Sequence, residues 1–270
     1  MRHPLRALCC AALVAFGASN LAACAHAPER GVSNSERAQR ELDLAASLRR
    51  EGNVPSALMH TRQAIELDPD YPEAHLLLGF IQLEREDYPT AEDELRRGVD
   101  LLVAQKRQGS TLAEARNMLG LALIERKKYD EAVKVLQQSA TDEMNTAPHL
   151  AWGNVGEAYL RAGNPQAAVA PLLESVRVQP RFCLGYYRLG QAYFRLGRYG
   201  LAEQALIRAT DADKSCRDNP MLQGAWRLRG ETRIHLGHRD DAIHDLTRCI
   251  ELAPKTDDAR ACQVLLDKVS

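Results

Sequence analysis

Bulky, small and polar positions recur along this chain with a fixed period. Trp152-Gly153-Asn154-Val155-Gly156-Glu157-Ala158-Tyr159 is answered by Tyr186-Tyr187-Arg188-Leu189-Gly190-Gln191-Ala192-Tyr193, and each half continues with Ala-x-x-x-Leu, first Ala168 with Leu172, then Ala202 with Leu206. The pattern predicts two helices per unit. Bulky side chains at the first and fourth slots pack between antiparallel helices, Gly at the eighth lets them approach, and the Ala of the second helix fills the same close contact. This is a repeat protein.

Fixing the phase on Gly156 and Gly190 lets the other units be counted. The order of residues resembles the tetratricopeptide repeat, W-x2-L-G-x2-Y…A-x3-F…P, with its period of about 34 residues. That resemblance implies an all-α, right-handed α-solenoid of about six repeats, over residues 38–71, 72–106, 113–148, 149–182, 183–216 and 223–256, with a capping helix at 257–269. The first unit carries Leu44-Ala45 in the Leu-Gly slots and lacks the aromatic ones, as terminal units often do. Two joints break the period, with seven extra residues around 105–112 and six around 215–222, and insertions in solenoids fall in loops.

Residues 1–23 differ in composition from the rest. Arg2, His3 and Arg6 precede a mostly apolar run, Ala7–Ala18, too short to span a bilayer, which predicts a signal peptide over residues 1–23. Its exit, Leu21-Ala22-Ala23-Cys24, resembles the lipobox of bacterial lipoproteins, which implies a mature chain starting at a lipidated Cys24. Ala25 in place of Asp points by the same resemblance to the outer membrane. Residues 24–37 then read as lipidated Cys and flexible tether, and the body is expected in the periplasm. Lys plus Arg number 35 against 36 for Asp plus Glu, and aromatics are 5%, which disfavours nucleic-acid binding.

Beyond the leader, Cys183, Cys216, Cys249 and Cys262 would sit in an oxidising compartment, where an even number suggests bridges. In repeat phase all four fall at the same end of the stack. Cys183 and Cys262 lie more than two repeats apart, too far for a bridge. The adopted pairing is Cys216–Cys249. Its rival is Cys183–Cys216 with Cys249–Cys262, and buried free thiols are the bland alternative. No GxxxxGK[ST], HExxH or GxSxG motif is present. The cluster His235, His238, Asp240, Asp241, His244, Asp245 reads as a solvated turn and a charged helix face rather than a metal site. Glu157 and Glu231 fall on groove slots with nothing pairing them as acid and base. No enzyme, cofactor or metal is expected.

Solenoids bind other proteins. By family phase, the concave surface is lined from the first helix of each repeat, which nominates Leu76, Phe80, Leu83, Leu121, Ile124, Leu160, Tyr187 and Phe194, with Leu150 and Leu184 beside them and Arg161, Arg195 and Arg227 on the border. So apolar a groove would suit an extended or helical protein segment.

A lipobox followed by six such units and a cap resembles the PilF/PilW/Tgl lipoproteins of type IV pilus systems. The resemblance implies a lipid-anchored, monomeric pilotin that captures secretin subunits and promotes their assembly into the outer-membrane pore. It places the main apolar contact in the N-terminal repeats, at Leu76, Phe80 and Leu83. The alternative is a repeat lipoprotein scaffolding cell-wall enzymes or outer-membrane protein assembly.

Overall fold

A computed structural model of the chain describes residues 32–269, so the expected signal peptide, Cys24 and most of the tether lie outside the described residues. Among those described, every regular element is helical. Repeat one is α1 (Asn34–Arg50) with α2 (Val54–Leu67), and repeat two is α3 (Pro72–Glu84) with α4 (Tyr88–Ala104). Repeat three pairs α5 (Ser110–Glu125) with α6 (Tyr129–Ala140), and repeat four α7 (Pro148–Arg161) with α8 (Pro165–Val178). Repeat five is α9 (Cys183–Arg195) with α10 (Tyr199–Asp211). A short α11 (Lys214–Arg217) and a 3-10 turn (Pro220–Leu222) lead to repeat six, α12 (Gln223–Leu236) with α13 (Arg239–Leu252), and α14 (Asp257–Val269) caps the stack. Helix α1 begins four residues earlier than the repeat phase suggests, so the segment expected as tether ends at Ser33.

One contact is repeated through the array. A Cβ added to Gly79, Gly120, Gly156, Gly190 or Gly230 would meet the side chain of Leu95, Leu136, Leu172, Leu206 or Leu246 at 2.3–2.9 Å. All five leucines are fully buried. Glycine at slot eight is therefore the condition for Leu at slot 24, since interiors are too densely packed to hold both a methyl and the isobutyl group. Repeat one occupies the same slots with Ala45 and Thr61, a larger residue facing a smaller one. The alanines four residues before each of these positions (Ala57, Ala91, Ala132, Ala168, Ala202, Ala242) are likewise without exposure.

The turn inside each repeat has its own rule. Its αL residue falls at slot 15 in all six copies: Gly52, Glu86, Lys127, Gly163, Gly197 and Gly237, with φ between 60° and 80°. Gly adopts this conformation at no steric cost and supplies four of the six. The second helix then starts on a side-chain cap in several repeats, with Asn53, Asp87 and Asn164 accepting from the N–H groups of Ser56, Thr90 and Ala167.

The two insertions behave differently. Around residues 105–112 the extra length mostly extends α4 and α5, because Leu101, Leu102 and Leu112 continue the buried stripe, and Leu102 and Leu112 join the largest core cluster. Around 215–222 it makes a separate structure, α11 and the 3-10 turn. This overturns the adopted disulfide, Cys216–Cys249. The bridges are Cys183–Cys216, Cα–Cα 5.9 Å, and Cys249–Cys262, Cα–Cα 6.4 Å. The Asp213 side chain caps α11 by accepting from the Cys216 N–H at 3.1 Å. That turn folds Cys216 under the start of α9 rather than toward α13, which leaves Cys249 to face the capping helix.

Antiparallel pairing gives the stack two rims. One carries the turns within repeats. The other carries the joints between repeats, the start of every first helix and the end of every second one. The Tyr71 hydroxyl donates to Gln39 Oε1, tying the first joint to the N-terminal part of α1. Gln105 Nε2 donates to the Asp70 carbonyl at 2.8 Å, tying the first joint to the second.

Candidate functional site

The first helices α3, α5, α7, α9 and α12 line the concave face, and their phase decides what reaches it. Leu76, Ile124 and Leu160 do not: they are 6%, 2% and 2% exposed and belong to the core. Leu76 packs against Gly98 of α4, where a Cβ would meet it at 2.5 Å. These three are corrections to the expected groove, made because a helix turned inward to satisfy the Gly–Leu contact carries the flanking apolar slots with it. Phe80, Leu83, Leu121, Tyr187 and Phe194 are half-buried and keep one side open. The Arg49 guanidinium sits 4.5 Å above the Phe80 ring and pairs with Glu84 at 3.0 Å, so this aromatic is presented under a cation.

The middle of the face is polar. Asn154 Nδ2 donates to Asn117 Oδ1 at 3.0 Å, and Arg188 Nη1 donates to Asn154 Oδ1 at 3.0 Å. Arg188 Nε also faces Glu157 Oε2 at 3.3 Å, while Arg161 spans Glu157 and Glu125, both at 2.9 Å. A ladder of amides and ion pairs thus crosses α5, α7 and α9. Burial lowers the Arg188 pKa, Glu157 opposes that shift and Arg161 adds to it. The expected apolar run through repeats three to five is therefore interrupted. Asn154 and Arg188 share slot six in successive repeats, which is the sequence signal that would have found them.

Toward the C-terminus the face opens into a concavity of about 220 Å³ between α9 and α12, lined by Tyr187, Gln191, Phe194, Arg195, Arg227 and Glu231. Arg195 Nη1 donates to the Leu160 carbonyl at 2.6 Å and Arg227 Nε to Asp258 at 2.8 Å. Burial, more than any charge, raises the Tyr187 pKa, keeping its phenol a neutral donor. The place could seat one apolar side chain with a polar or acidic group beside it. A larger concavity, about 680 Å³, lies elsewhere, along α2 and Arg85, with Leu58 and the half-exposed Met59 in its wall. The slot rule for first helices does not reach that surface.

The His/Asp cluster is dispersed by the fold. Asp245 is fully buried and takes Arg229 and Arg233 at 2.6 and 2.8 Å. His235 instead stacks on Tyr199 at 4.3 Å. Among the described residues no group of three or more His, Cys, Asp or Glu is arranged around a common ion position.

Stacked helical hairpins with one lined inner face define a solenoid whose repeats are protein-interaction modules. The tetratricopeptide repeat family matches residues 48–113 and, in overlapping pairs, 117–182, 155–215 and 187–255. The chain belongs to the tetratricopeptide repeat family. It is also 25% identical over 173 residues to the type IV pilus assembly protein PilF of Pseudomonas aeruginosa, a match covering 62% of this chain and 66% of that protein, just under two thirds of its length. Among solved structures, it resembles PilW, described as a widely conserved type IV pilus biogenesis factor, with a TM-score of 0.70 at 19% identity over 84% of this chain and 98% of that one. The Pseudomonas aeruginosa PilF structure aligns with a TM-score of 0.67 at 20% identity, over 86% and 98%.

Proposed function

We propose that this chain is an outer-membrane lipoprotein of type IV pilus biogenesis that binds secretin subunits and promotes their assembly into the multimeric pore. A combination carries the reading: the relationship to a pilus assembly protein, together with an N-terminal Leu21-Ala22-Ala23-Cys24 that resembles a lipobox, ahead of a body made of repeats and a cap. No helix among the described residues is long and apolar enough to cross a membrane, so attachment would fall to the acylated Cys24. The body faces the periplasm and acts by binding, not by catalysis. Phe80 and Leu83 at one end of the concave face and the Tyr187–Phe194 concavity at the other are the contact points for the client.

Deleting the gene and blotting outer membranes for SDS-resistant secretin multimers tests this. Multimers should vanish while secretin monomer persists. Normal multimers would overturn the reading, and recovery of peptidoglycan enzymes or the barrel-assembly complex in a membrane pulldown would point to a scaffold instead. Phe80→Glu, with helical content unchanged by circular dichroism, should abolish secretin capture.

A further inference from the structure

The insertion between repeats five and six is more built than a spacer requires. Cys183–Cys216 ties it to α9, and Leu222 is buried against the same bridge. Arg248 pairs with Asp218 at 2.6 Å, and Asn219 Oδ1 accepts from the Met221 N–H at 3.0 Å. What this bracing holds out is Met221, 87% exposed, the most exposed large apolar side chain among the described residues; the next is Met144 at 60%.

The charges around it are sorted. Asp211 is taken by Arg229, Asp218 by Arg248, and Asp213 by the Ser215 hydroxyl and the Cys216 N–H. Arg181, Lys214 and Arg217 are all exposed, none is within 4 Å of a carboxylate among the described residues, and Arg181 acts on Asp213 only through space. An outward apolar tip near exposed cations, with the neighbouring acids Asp211 and Asp218 partly exposed but already engaged by Arg229 and Arg248, matches a surface of anionic headgroups over hydrocarbon. The position on the rim points the same way. This insertion is an inter-repeat joint, on the rim where α1 starts at Asn34. From Cys24 to that point is about ten residues, at most roughly 35 Å of chain.

We infer that the 212–222 linker, which contains the insertion, is a membrane-contact element. Resting on the lipid-anchored reading above, it seats Met221 at the headgroup–acyl boundary and sets Arg181, Lys214 and Arg217 against lipid phosphates, so that the inter-repeat rim faces the bilayer and the concave face stays open to a client.

The test uses full-length chain purified from membranes and reconstituted into vesicles of phosphatidylethanolamine and phosphatidylglycerol, with no other protein. An environment-sensitive nitrobenzoxadiazole label is placed at Met221→Cys or, as control, at Leu201→Cys, half-exposed at the start of α10 on the opposite rim. Emission should shift to the blue at 221 and not at 201. Lys214→Glu with Arg217→Glu should weaken the contact by about fivefold or more per residue. Equal emission at the two sites would overturn the inference, as would a shift at 221 that appears without lipid, which would indicate a second copy. Mass of the N-terminal peptide separates the two readings. If Cys24 carries no acyl chain the anchor reading fails, and the labelled chains added directly to the same vesicles must still show the shift at 221; absence of it there sinks the inference too.

Discussion

Arg229 and Asp245 meet fork to fork inside repeat six, Nη2 to Oδ1 at 2.6 Å and Nε to Oδ2 at 2.9 Å, with exposures of 2% and 0%. The same guanidinium donates to the Thr210 hydroxyl at 2.6 Å and to Asp211 at 2.5 Å, and lies 4.4 Å over the Trp226 ring. Burial works against the Arg229 charge, and the bonds to Asp245 and Asp211 more than offset it, leaving its pKa raised. The pair joins α12 to α13 and, through Thr210 and Asp211, to the end of α10.

Removing one partner leaves the other charge buried. Asp245→Ala should therefore cost about 3–5 kcal/mol, measured by urea denaturation. Because repeats touch only their neighbours, hydrogen exchange should accelerate in α12, α13 and α14 while α3 to α6 stay protected. Uniform loss of protection would contradict this. The double change Arg229→Met, Asp245→Leu should cost less than Asp245→Ala alone.

The slot-eight contact predicts a compensation. Gly156→Ala puts a methyl 2.3 Å from Leu172 Cγ and should destabilise by about 1–3 kcal/mol. Combining it with Leu172→Thr reproduces the arrangement of Ala45 and Thr61. The double variant should be more stable than the sum of the two single changes by about 1 kcal/mol or more, and strict additivity in a double-mutant cycle would refute the contact.

Two buried groups set opposite limits on pH. Glu92 is 4% exposed; burial pushes its pKa up, but hydrogen bonds from Lys128 and Arg96 outweigh that and leave it lowered. Its contribution is full above the usual carboxylate range and is lost as pH falls through the depressed value. For His75, burial favours the neutral ring, yet Glu94 at 2.7 Å and the Pro69 carbonyl at 2.9 Å accept from both nitrogens and leave the pKa raised. That contribution is full below about pH 6.5 and is lost as pH rises through the elevated value. Denaturation midpoints across the range should show both limbs, with Glu92→Gln flattening the acid one and His75→Gln the other.

The cap depends on its bridge. Cys249 and Cys262 are 13 residues apart, so Cys249→Ser with Cys262→Ser should cost about 3 kcal/mol. Limited proteolysis should then release α14 first. A cap that resists protease as well as wild type would show that packing of Leu265, Leu266 and Val269 holds it unaided.

Much of this architecture is legible in one dimension because each repeat makes its contacts locally. Gly156 and Leu172 lie within one hairpin, and Gly163 takes the turn conformation for reasons of its own backbone. The Ala-x-x-x-Leu spacing is one helical turn, and it can be read without knowing what the next repeat does. The pairing of the cysteines could not be read that way. Repeat phase places all four at one end of the stack, but whether Cys216 reaches Cys183 or Cys249 depends on how the insertion turns, and Asp213 decides that by starting α11.

The period, the hairpins, the small residues at close approaches and the cap are written in the order of residues, since all follow from periodic burial along neighbouring helices. Which side chains of each first helix face outward is not. That was settled by packing in three dimensions: the rotation of each helix is set by its contact with Leu at slot 24, and it took Leu76, Ile124 and Leu160 into the core. The same rotation brought Asn117, Asn154 and Arg188, each from a different repeat, into a single hydrogen-bonded line. Such a line exists only when three helices are stacked side by side, and no single repeat contains it.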